Sequence, residues 1–164
     1  MLSPHDEEML DAPALCSQHD FAQAMAICLW ANYYSLNSIS ETEKQFLLNR
    51  DDCNVLLTLW RCNRTTATDI SFLNGRPKNS IGRAVKRLLD RKLIDTATDE
   101  QDSRKKLLCI TDSGTAIIEA IAPIFVRHQE AMLSRLSKAQ RNSLHSAFLR
   151  TFTDLPHWNT AKDP

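Results

Sequence analysis

Residues 66–111 read TATDISFLNGRPKNSIGRAVKRLLDRKLIDTATDEQDSRKKLLCIT, and this stretch decides the fold. Thr66 and Asp69 have the T-x-x-D spacing of a capping box, in which two side chains satisfy backbone N–H groups at a helix start. They open a short helix with Ile70 and Leu73 expected inward. Gly75 falls where a tight helix-to-helix turn needs a positive φ. Pro77 suits the first turn of the next helix. There Ile81, Val85 and Leu88 recur at i, i+4 and i+7, a narrow apolar stripe for the core. Asn79, Ser80, Arg83, Lys86 and Arg87 lie off that stripe. Leu93 to Thr98 and Leu107 to Thr111 are rich in apolar and β-branched residues and read as two strands, with Asp99 to Ser103 as the tip between them. This order predicts a helix-turn-helix followed by a β-hairpin wing, and a basic second helix in that setting suggests DNA binding.

Outward from this stretch the pattern is helical. Asp20 can cap a helix running to about Ile39, with Phe21, Ala24, Met25, Cys28, Leu29, Ala31 and Leu36 near helical spacing. Those positions cover a wider face than one partner helix needs. Ser40 and Glu43 have capping-box spacing for a short helix ending near Leu48. Asp51 or Asp52 is the expected cap of the next helix, with Val55, Leu56, Leu59 and Trp60 inward. After the wing, Asp112 or Ser113 can cap a long helix carrying Ile117, Ile118, Ile121, Ile124, Phe125 and Met132, kinked at Pro123. A last helix runs from Ser137 to about Phe152, with Leu144, Ala147, Phe148 and Leu149 apolar. The expected fold is mostly α with a small β-hairpin wing. Its parts are a loose N-terminal arm (1–19), N-terminal dimerisation helices (20–50), a winged helix-turn-helix (51–112), C-terminal dimerisation helices (113–155) and a polar tail (156–164).

Charge supports the same reading once it is resolved along the chain. The 164 residues carry 20 basic and 20 acidic side chains, a formal net charge of zero that by itself predicts no affinity for nucleic acid. Between residues 61 and 92, however, nine bases face only Asp69 and Asp90, a local net of +7. Residues 1–50 hold two bases against seven acids, a net of −5. A neutral total therefore hides a basic segment of the kind that neutralises phosphates.

Other classes find little support. The acidic N-terminus MLSPHDEEML lacks the apolar core of a secretory signal, and the longest apolar run, Ala24 to Ala31, is far short of a membrane span. The five cysteines are odd in number and form no C-x-x-C pair, which fits a reducing cytoplasm and buried thiols. Cys16 and His19 have C-x-x-H spacing, but with His128 and His145 they make no metal motif, so neither metal nor cofactor is expected. There is no G-x-S-x-G, P-loop, G-x-G-x-x-G or H-E-x-x-H, so an enzyme reading has no positive support.

Three stretches carry a resemblance to a known family: Thr66 to Ile94, the wing tip Asp99-x-x-Asp102-x-Arg104, and the closing Ile110-Thr111-Asp112-Ser113-Gly114. Over residues 20–152 the chain resembles the multiple antibiotic resistance regulator (MarR) family of winged-helix transcription factors. The resemblance implies a homodimer on an imperfect palindrome of double-stranded DNA, acting as a repressor released by a small-molecule effector. It implies DNA contacts from Lys78, Asn79, Ser80, Arg83, Lys86, Arg87, Gln101, Arg104, Lys105 and Lys106. Arg83 could pair with guanine or clamp a phosphate, and Asn79 could either pair with adenine or cap the helix. Lys86 and Arg87 would meet phosphates, which position without specifying. Asp102 and Arg104 resemble an ion pair that fixes the hairpin. Gln101 stands where many members carry an arginine for the minor groove, and Gly82 where serine is usual.

Trp30, Tyr33 and Tyr34 could line an effector pocket, although aromatics at such spacings are commonly core or dimer contacts. Cys28 resembles the sensing cysteine of peroxide-responsive relatives, against a plain reading as a buried thiol filling a helix interface. Two alternatives thus stand beside the ligand-released repressor. One is a winged-helix protein-interaction module without DNA binding, and the other is a thiol-based redox-sensing repressor.

Overall fold

The computed structural model describes residues 22–98 and 106–153. In chain order the elements are α1 (Ala22–Phe46), α2 (Arg50–Cys62), β1 (Arg64–Thr65), α3 (Ala67–Asn74), α4 (Lys78–Asp90), β2 (Ile94–Thr98), β3 (Lys106–Ile110), α5 (Asp112–Leu133) and α6 (Lys138–Thr153). The fold is mostly helical with a small antiparallel sheet. The chain divides into two compact units, Met1–Val126 and Arg127–Pro164.

α1 runs unbroken through Ser40, where the sequence suggests a second helix start. The reason lies in its hydroxyls. Ser38 Oγ donates to the Tyr34 carbonyl at 2.7 Å, and Thr42 Oγ1 donates to the Ser38 carbonyl at 2.8 Å. Both side chains are buried and both bond back one turn, so they are satisfied without leaving the helix. The helix stops at Leu47, which takes a left-handed φ of 55°. Asn49, rather than Asp51 or Asp52, then caps α2: its Oδ1 accepts from the N–H groups of Asp51 (3.0 Å) and Asp52 (3.1 Å). Asp52 returns the bond by accepting from the Asn49 N–H at 3.0 Å, completing a capping box.

α2 buries Cys53, Val55, Leu56 and Leu59 in the core of the first unit. Trp60, expected inward, is 44% exposed. Residues 60–64 are all exposed, so the last turn of α2 stands clear of the core, and the Arg61 guanidinium lies 5.8 Å from the centre of the Trp60 ring.

α3 begins with the expected box: the Asp69 N–H donates to Thr66 Oγ1 at 3.1 Å, and the Thr66 N–H donates to Asp69 Oδ2 at 3.4 Å. Ile70 is buried as expected, but Leu73 is half-exposed, and Ser71 takes the second inward place. Its hydroxyl donates to the Arg76 carbonyl at 2.6 Å across the turn, which pays no penalty for a buried polar group. Gly75 closes the helix with φ 58° and ψ 32°, the left-handed conformation that favours glycine. α4 follows, with Ile81, Ala84 and Leu88 buried and Val85 half-buried.

The sheet has the order β1-β3-β2. β2 and β3 form the hairpin, paired from Ile94 with Ile110 to Thr98 with Lys106. The two-residue β1 adds a third strand, placing Arg64 opposite Cys109 and Thr65 opposite Leu108. So short a strand has no periodicity to detect in a sequence.

The connection into α5 explains the Ile110-Thr111-Asp112-Ser113-Gly114 run. Thr111, not Asp112 or Ser113, performs the capping: its Oγ1 accepts from the Gly114 N–H at 3.1 Å and donates to the Lys92 carbonyl at 2.9 Å. A Cβ on Gly114 would lie 2.1 Å from the Leu93 carbonyl oxygen, so only glycine lets α5 approach the start of β2 this closely. α5 then buries Ile118, Ile121 and Ile124, with Pro123 on its exposed face and the helix continuous through it.

In the second unit Ser137 and Gln140 cap α6 reciprocally, at 2.9 and 3.3 Å. Arg141 pairs with Glu130 at 2.7 Å. No residue of α6 is buried; Leu149 and Phe152 are more than half exposed.

Candidate nucleic-acid interface

The apolar stripe of α4 fixes which face it presents outward. Lys78, Asn79, Gly82, Arg83 and Lys86 are all exposed, opposite Ile81, Ala84 and Leu88. Pro77 occupies the N-cap position of α4 and no side chain caps it, so Asn79 is not engaged as a cap. A methyl added at Gly82 would meet nothing within 4 Å, so no packing among the described residues accounts for glycine there. Gly82 costs the helix about 1 kcal/mol relative to alanine.

Two candidate residues of α4 are turned toward α2 instead. Ser80 Oγ donates to the Asp51 carboxylate. Arg87 donates to Asp52 Oδ1 from Nη2 at 2.8 Å and from Nε at 3.1 Å. Arg76, in the turn, completes the arrangement with a two-pronged pair to Asp51, Nε at 2.7 Å and Nη2 at 3.3 Å. The hydrogen bond from Arg76 holds the Asp51 carboxyl below the usual carboxylate range; Ser80 and the charges of Arg76 and Arg87 add to this, and partial burial opposes it.

These pairs revise the local charge. With Asp51 and Asp52 included, nine bases face four acids, a net of +5 rather than +7. Arg91 is also employed internally: its guanidinium donates to the Leu47 and Phe46 carbonyls at 3.0 Å each, capping the C-terminal end of α1, where the helix dipole favours a cation. Arg83 and Lys86 make no ion pair among the described residues and stay available to an outside partner. Sequence spacing could not reveal these engagements, because the partners lie 25 to 45 residues apart. The one available signal was the pair of acids in the first turn of α2.

On the wing, Lys106 opens β3, is exposed, and lines a shallow depression with Thr66, Ala67, Thr68 and Asp69 of the α3 start. Gln101, Asp102, Arg104 and Lys105 lie outside the described residues.

The other candidates sit on α1. Tyr34 is half-buried: its hydroxyl donates to the Phe125 carbonyl at 3.4 Å, and its ring is tilted against that of Phe125 at 6.3 Å. Burial raises its phenol above the ordinary value. Tyr33 is 51% exposed and Trp30 half-buried. Cys28 is exposed and fills no helix interface among the described residues, whereas Cys53 is buried and its thiol is pushed up to about 12 by desolvation and the neighbouring Asp52. The described residues hold no cluster of three or more metal-ligating side chains, and none of their helices is long and apolar enough to cross a membrane.

No sequence model of a family matches the chain, and no curated protein sequence matches it. Solved structures do. A MarR transcriptional regulator from Methanosarcina mazei superposes with a TM-score of 0.71 at 19% identity, covering 80% of this chain and 94% of that one. The chain has the MarR fold. The MarR structures include two DNA complexes. MepR of S. aureus with DNA gives a TM-score of 0.67 at 21% identity over 84% of this chain and 99% of that chain. A mutant MarR of E. coli with operator DNA also gives 0.67, at 13% identity over 82% and 99%. The Methanosarcina protein is a transcriptional regulator.

Proposed function

We propose that this protein is a homodimeric, sequence-specific DNA-binding transcriptional regulator that acts as a repressor released by a small ligand. The observation that carries the DNA-binding reading is the outward face of α4. Asn79, Arg83 and Lys86 form an exposed polar stripe on the second helix of a helix-turn-helix, and neither Arg83 nor Lys86 is paired among the described residues. Such a helix presents its early residues to base edges in the major groove. In this reading Asn79 and Arg83 read bases and Lys78 and Lys86 lie along the DNA backbone, while Ser80 and Arg87, candidate contacts by their place on the helix, are held by Asp51 and Asp52. Gln101, Arg104, Lys105 and Lys106 are the proposed wing contacts to the adjacent groove, and Asp102 is the proposed ion-pair partner of Arg104. The solved complexes of MepR and MarR with DNA support the class of partner.

The dimer reading rests on apolar surface. α1 exposes Met25, Ile27, Tyr33 and Leu36, and no residue of α6 is buried among the described residues. A helix without a buried face draws little stability from its own sequence and gains it by packing. Residues 20–50 and 113–155 would thus join two copies, and 51–112 would meet DNA. Trp30, Tyr33 and Tyr34 are the proposed effector-facing residues.

Binding of the purified protein to fragments of its source genome, measured across a salt series, tests this function. The expected result is sequence-selective binding whose affinity falls steeply with salt, with a slope of about −0.9 per phosphate neutralised. No binding even at low salt would overturn the reading and favour a protein-interaction module.

A further inference from the structure

Two adjacent carboxylates at the start of α2 grip α4 at both ends. Asp51 holds Arg76 and Ser80, just before and just inside the first turn of α4. Asp52 holds Arg87, two turns further on. Neither acid is loosely placed. The side chains of Asp51 and Asp52 are 12% and 4% exposed, and Asp52 is also tied to the Asn49 backbone by the capping box. The Arg87 side chain, by contrast, is 44% exposed, so it lies at the surface while its charge is directed inward.

We propose that Asp51 and Asp52 are positioning residues that fix the orientation of α4 and withhold Arg87 from phosphate, so turning a general affinity for DNA into sequence preference. The inference rests on the DNA-binding reading of α4. Its physical basis is the division of labour in protein–DNA contacts. Every arginine that reaches a phosphate adds affinity on all sequences alike, whereas base contacts discriminate only if the helix enters the groove at a fixed angle. An arginine committed to an intramolecular carboxylate contributes rigidity in place of indiscriminate attraction.

The test compares the full-length parent with Asp51→Asn and Asp52→Asn, on a selected binding fragment and on a scrambled duplex, across a salt series. Thermal melts establish that each protein is folded at the assay temperature. Both variants are expected to bind the scrambled duplex more tightly and to lose about tenfold or more of the specific-to-scrambled affinity ratio. Asp52→Asn should also steepen the salt slope by about 0.9 for each Arg87 that gains a phosphate. Adding Arg87→Ala to Asp52→Asn should restore the parental slope. A merely structural role would lower the melting temperature without moving the ratio or the slope, and that result overturns the proposal. So does an unchanged ratio in both variants. Failure of the parent to bind any duplex would instead overturn the DNA-binding reading itself, which keeps the two failures distinct.

Discussion

Replacing Gly82 by alanine adds a methyl that meets nothing within 4 Å in this chain, at an exposed position inside α4. The helix should gain about 0.5–1 kcal/mol, because alanine loses less backbone freedom than glycine. DNA affinity should fall, because the methyl stands on the face proposed to enter the groove. A thermal melt and a binding titration read the two effects separately, and undiminished binding would show that the backbone does not approach DNA there. Arg83 makes the complementary case. Arg83→Ala should leave stability nearly unchanged and weaken specific binding by about 1–3 kcal/mol, with relaxed preference at one base position per half-site. Equal weakening on every sequence would identify Arg83 as a phosphate contact. Residues of this kind are legible in sequence, because position on an amphipathic helix fixes exposure. Arg87 and Ser80 have the same helical credentials, yet both turn to carboxylates on α2. Only tertiary packing decides between two acceptors for one arginine.

The interface between α2 and α4 has a pH dependence whose direction follows from Asp51. Its folded-state carboxyl is held below the ordinary value of about 3.9, so it favours folding at neutral pH, and this contribution disappears as pH falls through the depressed folded value. Asp51→Asn should therefore be less stable than the parent at neutral pH, and the two should converge in acid, as denaturant melts at descending pH would read. A gap that persists unchanged into acid would show that the carboxylate's charge is not the cause. Turns show a second element-scale effect. α4 ends in a Schellman motif, with the Lys92 N–H donating to the Leu89 carbonyl (2.9 Å) and the Leu93 N–H to that of Leu88 (3.0 Å), and Lys92 takes a left-handed φ of 56°. Lys92→Gly should relieve that cost and stabilise by about 0.5–1 kcal/mol. Gly114→Ala should do the reverse, destabilising by about 1–3 kcal/mol or more through collision with the Leu93 carbonyl. Thermal melts of both variants check the opposite signs. Most elements were foreseeable from local chemistry: the Thr66–Asp69 box, the Gly75 turn and the hairpin pattern each specify themselves within a few residues. Local signals mislead where they compete. Ser40 and Glu43 have box spacing but lie in a helix that continues, and Asn49 takes the cap from the acids beside it.

At the scale of the whole molecule the proposed dimer predicts both assembly and footprint. Phe152→Asp should shift sedimentation toward monomer, since Phe152 is 59% exposed on a helix with no buried residue. The wild-type chain should sediment as a dimer over a wide concentration range; monomer throughout would remove the reading. Two-fold symmetry with one α4 per subunit should protect an imperfect palindrome whose half-site centres lie about one helical turn, roughly 10 bp, apart. Direct repeats or a single protected half-site would contradict it. The sequence carries the excess of apolar helix surface plainly, but pairing between copies leaves no local signature, because self-complementarity depends on shape rather than on spacing.

The burial of Cys53 in the same core gives the protein an internal clock. With its thiol pushed up to about 12 and its side chain shut off from solvent, it should stay unlabelled by alkylating reagents at neutral pH, and exposed Cys62 should be the more accessible thiol. Modification of Cys53 must wait for the core of α2 to open, so its labelling rate reports the frequency of that opening. Slower labelling of Cys53 in the presence of operator DNA would register, at a distance from the groove, that binding holds the lobe shut.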